Sequence, residues 1–167
     1  MLSKKVEKAL NAQHDLEAYS AYIYYAMAAW CEAQNWSGFA NWMKMQAGEE
    51  MLIHALKIFD YVNERGGEIK PGKIDAPVGK WKTLLDVFKA AYDHERKVTA
   101  SIYKLVDTAT EADDKATVQF LQWFIEEQVE EEAQTDDIVQ KLKKIGDSTN
   151  GLFMLDRALA ARKFGGE

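Results

Sequence analysis

Four glutamates stand in the middle of apolar helical stripes, and few other features of this chain constrain its chemistry as tightly. The first stripe is Val6, Leu10, Gln13, Glu17, Ser20, Tyr24, Met27 and Cys31. The second is Phe39, Met43, Gln46, Glu50 and then His54. The third is Leu85, Phe88, Tyr92, Glu95, Thr99, Ile102, Val106 and Ala109, and the fourth is Phe124, Gln128, Glu131, Thr135, Ile138, Leu142 and Ile145. The steps of three and four mark the face that a helix turns toward its neighbours. An unpaired, ionised carboxylate buried on such a face costs several kcal/mol. Four of them near mid-helix require positive charge between the helices, and a pair of metal ions is the simplest source.

The ligand types narrow the metal. Carboxylates with one imidazole suit iron or manganese better than structural zinc, which favours thiolate and histidine. Bundles that hold two such ions take a glutamate from each of two helices. The other two helices each give a glutamate with a histidine three residues on. Glu17 and Glu95 fit the single contributions, and Glu50 with His54 fits one pair. On the last helix Gln128 stands three before Glu131, so the second group there is not an imidazole. Glu49, Glu127 and Glu130 lie one residue before the stripe positions. They form either a third, more exposed cation site or a solvated shoulder. Tyr24 is two turns beyond Glu17 on the same face. It either serves the centre by donating a hydrogen bond or an electron, or is a core tyrosine with a satisfied hydroxyl. His14 and His94 are off the stripe and are expected beside the centre or in solvent. Met45 and Met51 raise haem ligation between subunits, but methionine is a common gap-filler and packing is the reading adopted. Trp123 and the other tryptophans are assigned to packing, and Cys31 to the role of a small apolar residue.

The elements that must position these groups are all helical. Helices are expected over 4–34, 38–65, 83–110 and 114–145, with a short amphipathic one over 151–162 and a loose KFGGE tail. Ser37 is a plausible N-cap, and Gly66-Gly67 supply a left-handed stop. Short turns make the first and last helix pairs antiparallel hairpins. The link over 67–82 holds both prolines, Pro71 and Pro77. Extended, it reaches about 50 Å, more than the roughly 40 Å length of a helix of this size. It can therefore cross the whole bundle and leave the second and third helices parallel, which gives a four-helix bundle with one long crossover.

Composition excludes other classes. The chain has 167 residues, enough for one domain with one sizeable core, and is 47% hydrophobic and 29% charged. A net charge of −6 argues against nucleic acid as the main partner. One cysteine excludes an intramolecular disulfide. No stretch is apolar enough to span a membrane, and the N-terminus lacks a signal-peptide core, so a cytoplasmic protein is expected.

Over essentially its full length the sequence resembles the prokaryotic non-haem ferritins. The segments that carry this are NAQHDLEAYSAYIYYAMA, GFANWM, Glu49-Glu50 with His54, FDYVNERGG, YDHE and FLQWFIEEQVEEEA. The resemblance implies an all-α ferritin-like bundle, a shell of twenty-four subunits and a di-iron ferroxidase centre in each. Fe2+ would be oxidised there by dioxygen or peroxide and stored as a ferric mineral, without haem. By position, Glu17, Glu50 and His54 would hold the first iron, and Glu50, Glu95 and Glu131 the second. Gln128 would face the oxidant, Glu49, Glu127 and Glu130 would make a third iron site, and Tyr24 matches the family's tyrosine. There is one departure. The family spaces glutamate and histidine three apart on the second helix, whereas here Glu50 and His54 are four apart. Continued regularly from Glu50, the stripe lands on Ile53, Lys57 and Asp60. Moved by one, it lands on His54, Ile58 and Tyr61. A π-bulge absorbs such an insertion most easily and is expected to keep both ligands in place. Otherwise the site would be distorted, leaving a cation-sequestering shell with impaired oxidation chemistry.

Overall fold

Ser3 starts the first helix by accepting a hydrogen bond from the Val6 amide, and α1 runs Lys4–Ala33. Asn35 turns the chain in the left-handed region, at φ 61°. The second long helix follows in three parts: α2 (Ser37–Glu49), a π-helical segment (Glu50–Ala55) and α3 (Leu56–Glu64). Gly66, at φ 71°, ends it. Thr83 and Asp86 form a capping box for α4 (Leu84–Glu111). Asp114 caps α5 (Lys115–Ile145), and Ser148 caps α6 (Thr149–Leu159). The computed structural model describes residues 2–77 and 79–165. Val78 of the crossover and the last two residues of the KFGGE tail lie outside the described residues. Among the described residues there is no strand, and no helix is long and apolar enough to cross a membrane. The fold is the all-α, ferritin-like four-helix bundle with a long crossover and a short C-terminal helix.

The crossover has a defined register on α1. Glu7 Oε1 accepts from the Glu68 amide at 3.0 Å. Asn11 donates to the Glu68 carbonyl at 3.0 Å and accepts from the Lys70 amide at 2.7 Å. Asp15 Oδ1 accepts from the Gly72 amide at 3.0 Å. Four helical residues advance about 6.0 Å, and two extended residues about 6.6 Å. A polar row spaced by four on a helix therefore meets every second residue of an extended segment.

Ser37 is not the cap of α2. It is the helix's first residue, and no side chain of Trp36 caps it. The free amides of Gly38 and Phe39 instead donate to Asp156 Oδ1 at 2.8 and 3.0 Å, because α6 folds back over this end. A Cβ at Gly38 would lie 1.8 Å from the Asp156 carbonyl oxygen. In an open helix Gly→Ala stabilises by up to about 1 kcal/mol. Gly38→Ala is expected to do the reverse, lowering the thermal midpoint because α6 must undock; an unchanged or higher midpoint would contradict this contact.

Two apolar clusters occupy the two ends of the bundle. One gathers Tyr24, Met27, Phe39, Phe88 and Leu142, and the other Leu10, Ile58, Ile102, Leu121 and Phe124. Between them lies a buried polar layer of Gln13, Glu17, Gln46, Glu50, His54, Glu95, Gln128 and Glu131.

Candidate metal centre

The π-helical segment decides where the centre's histidine lies. After it, Ile58 is fully buried, Lys57 is half-buried and Asp60 exposed. The shifted stripe is thus the one the fold uses. The wider turn takes up one residue, so the apolar face continues in phase on both sides. His54 Nδ1 lies 3.0 Å from Glu50 Oε2. Donor atoms of Glu17, Glu50 and His54 all lie within 4.8 Å of one another, as do those of His54, Glu127 and Glu131.

Three of the four glutamates of the layer are held by neutral donors, and Glu50 by His54. Gln13 Nε2 donates to Glu17 Oε1 at 2.8 Å, and Gln13 in turn accepts from Ser101 Oγ at 2.6 Å. Gln46 Nε2 donates to Glu131 Oε2 at 2.7 Å. The Tyr24 hydroxyl donates to Glu95 Oε1 in a short contact. Gln128 Nε2 reaches Glu95 Oε2 at 3.2 Å. Glu17 Oε2 and Gln46 Oε1 are buried and accept from no N–H or hydroxyl donor, and Glu17 meets the carboxyl of Glu50 instead. Acceptors left open in a buried layer otherwise so fully bonded are what a cation would satisfy.

Burial shifts these groups away from their ordinary ionisation. Burial raises the carboxyls of Glu17 and Glu50, against the opposing pull of His54. Burial and then Glu131 push Glu95 up to about 8, and burial brings Glu131 up to about 7. Burial alone would lower His54, but Glu50, Glu127 and Glu17 outweigh it and hold the imidazolium. Burial and the phenol's carboxylate neighbours raise Tyr24 well above the usual range.

These directions give a pH dependence. An unfolded glutamate titrates near 4.5, whereas the folded protein keeps its proton on Glu95 to about 8. The folded state therefore binds more protons across that window, and stability falls as pH rises through it. His54, raised above 6.5, acts in the same direction. The metal-free protein is expected to melt lower at pH 8 than at pH 5. Adding Zn2+ should release protons and flatten the dependence. A midpoint that rises from pH 5 to pH 8 would refute this account.

The remaining residues lie beside this layer. His94 is buried, accepts or donates at Ser20 Oγ over 2.8 Å, and burial and then Lys97 lower it to about 4. His14 is half-buried against Asp15, 3.2 Å away. Met45 is half-buried and Met51 exposed. Glu49, Glu127 and Glu130 line one acidic cleft of about 320 Å³. Glu127 Oε1 there lies 3.8 Å from His54 Nε2. Glu49 differs from the other two: it is buried, with both oxygens bonded to the C-terminal segment. Reading the residues alone missed the holding roles of Gln13 and Gln46, although both lie on the stripes, and missed Arg162 altogether.

Comparison with known proteins identifies the family and the fold. The ferritin-like domain family matches residues 7–145. The bacterial non-heme ferritin of Staphylococcus haemolyticus is 42% identical over 164 residues, 98% of each chain. That of Staphylococcus aureus is 40% identical over the same share. An open pore ferritin from the hyperthermophilic archaeon Archaeoglobus fulgidus superposes with a TM-score of 0.95 at 44% identity, covering 97% of this chain and 98% of that one. An engineered closed form of the Archaeoglobus fulgidus ferritin gives 0.96 at 44% identity, over 98% and 99%. With matches over nearly its whole length, this chain belongs to the ferritin family.

Proposed function

We propose that the chain is a ferroxidase subunit of a cytoplasmic, twenty-four-subunit ferritin shell. Iron storage is the function of the family it belongs to. Fe2+ is the substrate. Glu17, Glu50 and His54 hold one ion, and Glu50, Glu95 and Glu131 the other, with Gln128 facing the oxidant. Each ferrous ion gives up one electron to dioxygen or hydrogen peroxide, and the ferric product moves on to a stored mineral. Glu49, Glu127 and Glu130 form a third cation site on the way. The protein's own part is charge and position. Carboxylates favour the ferric state and leave the ions exchangeable, as a closed thiolate cage would not. Gln13, Gln46 and Tyr24 fix the ligand oxygens, and His54 gives up its proton to ligate. Exposed Tyr22, Tyr25, Met51, Leu52, Leu56 and Phe59 on the first two long helices support burial against other subunits.

The observation that carries this reading is the buried layer of four carboxylates, Glu17, Glu50, Glu95 and Glu131, one from each long helix, with His54 beside them. The rival, a sequestering shell spoiled by the insertion, requires a displaced His54. The 3.0 Å approach of His54 to Glu50 argues against it. Mixing metal-free protein with Fe2+ in air tests the proposal. Ferric absorbance is expected to rise far faster than in buffer alone; a rate equal to buffer would favour the sequestering shell. Repeating the measurement anaerobically with hydrogen peroxide identifies the preferred oxidant.

A further inference from the structure

The C-terminal segment lies across α2 as a strap. Asn41 Nδ2 donates to the carbonyls of Leu159, Ala160 and Arg162, at 3.3, 3.3 and 3.0 Å. The Arg162 guanidinium sits 4.6 Å from the centre of the Trp42 ring and donates through Nη2 to Glu49 Oε2 at 2.6 Å. The Phe164 ring rests against Gly48, where a Cβ would come within 3.0 Å of it. The Gly165 amide donates to Glu49 Oε1 at 3.0 Å. Both Glu49 oxygens are therefore held by the tail, and the ion pair is largely dry, with side chains 13% and 10% exposed. Arg162 Nη1 is buried with no partner.

A guanidinium held this way, with one nitrogen unsatisfied, is an expensive arrangement. What offsets it is the surrounding charge. Glu126, Glu127, Glu130 and Glu131 line the same cleft. His54 connects that cleft to the central layer through its two ring nitrogens, which lie by Glu50 and Glu127.

We propose that Arg162 is the resident counter-ion of this cleft and that residues 162–165 are a latch over it. The latch occupies the coordination a metal needs from Glu49. Each Glu49 oxygen keeps a second lone pair, but a third cation competes with the guanidinium for the same negative charge and binds by displacing it from Oε2. The two central positions therefore fill first, and filling the third releases the tail. The inference rests on Glu49, Glu127 and Glu130 being a cation site.

The test uses the assembled, metal-free protein and Zn2+, which is redox-inert. Calorimetric titration is run on the wild type, Arg162→Gln, Phe164→Ala and Glu49→Gln. The third ion is expected to bind roughly tenfold tighter in Arg162→Gln, because a charge-assisted bond no longer competes. Phe164→Ala should shift it in the same direction, and Glu49→Gln should abolish it. In parallel, a nitroxide is placed on Lys163→Cys, an exposed position; the native Cys31 is buried. Its mobility is expected to rise with the third equivalent of Zn2+ and not with the first two. Three ions bound equally tightly with and without Arg162, or a label that stays immobile when the third binds, would overturn the latch and leave the third site standing. Two ions only in both the wild type and Arg162→Gln would overturn the third site, and the latch with it.

Discussion

Glu95→Gln and Glu131→Gln each slow aerobic iron oxidation by about a hundredfold or more, the scale on which damage to a metal site is felt, and both raise the stability of the metal-free protein at pH 8. The two effects have one cause. Burial holds the Glu95 carboxyl up at about 8 and that of Glu131 at about 7, so ionising them at neutral pH works against the fold. A neutral amide of the same shape removes that cost. At position 95 it also keeps the local hydrogen bonds. The phenol of Tyr24 can turn to accept from the new amide nitrogen, while the amide oxygen still accepts from Gln128. What the amide cannot supply is negative charge to a ferric ion. Gln13→Ala is a useful contrast. It removes the donor that orients Glu17 but leaves every carboxylate, so a smaller loss, roughly tenfold, is expected. Stopped-flow absorbance gives the rates, and thermal unfolding at pH 8 without metal gives the stabilities. A Glu95→Gln protein that oxidises iron at the wild-type rate would remove Glu95 from the centre. One that melts lower would show that the carboxylate is structural.

The stripes were legible because burial repeats with the helix period. All eight positions named on the first stripe are buried, including the polar Gln13, Glu17 and Ser20. The crossover was legible from its length and its prolines, but its register was not. That register depends on Glu7, Asn11 and Asp15, which read as ordinary surface residues until a second segment lies against them. The same limit explains Ser37, whose amide neighbours found an acceptor more than a hundred residues away. It also explains Arg162 and the tail, read from sequence as a loose end and found holding Glu49 from 113 residues away. A contact set by two distant elements leaves no periodicity in either. The insertion between Glu50 and His54 is the opposite case. It was visible because it breaks a period, and the apolar residues beyond it indicate which way the break is absorbed.

Deleting Leu52 puts that insertion to its strongest test. In a regular helix, removing one residue turns everything beyond it by about 100°, since 3.6 residues make a turn. Ile58 and Val62 would leave the core, each a large loss. Here the segment Glu50–Ala55 already holds one residue more than an α-helix needs. Loss of Leu52, which is 59% exposed, lets it close to α-helical geometry while residues on both sides keep their places. Met51 and Ile53 remain to cover the outer face. His54 then stands three residues from Glu50, the spacing of the di-iron bundle rule. The expected result is an assembled protein with a midpoint at or slightly above wild type and iron oxidation within a few fold of it. Deleting the exposed Lys44 is the matched control. The π-helical segment can absorb that loss too, but only by shifting residues 45–49 along the helix, which misplaces Gln46 and Glu49. That variant should lose iron oxidation even where it folds. If both deletions behave alike, the wide turn is not what keeps Glu50 and His54 together.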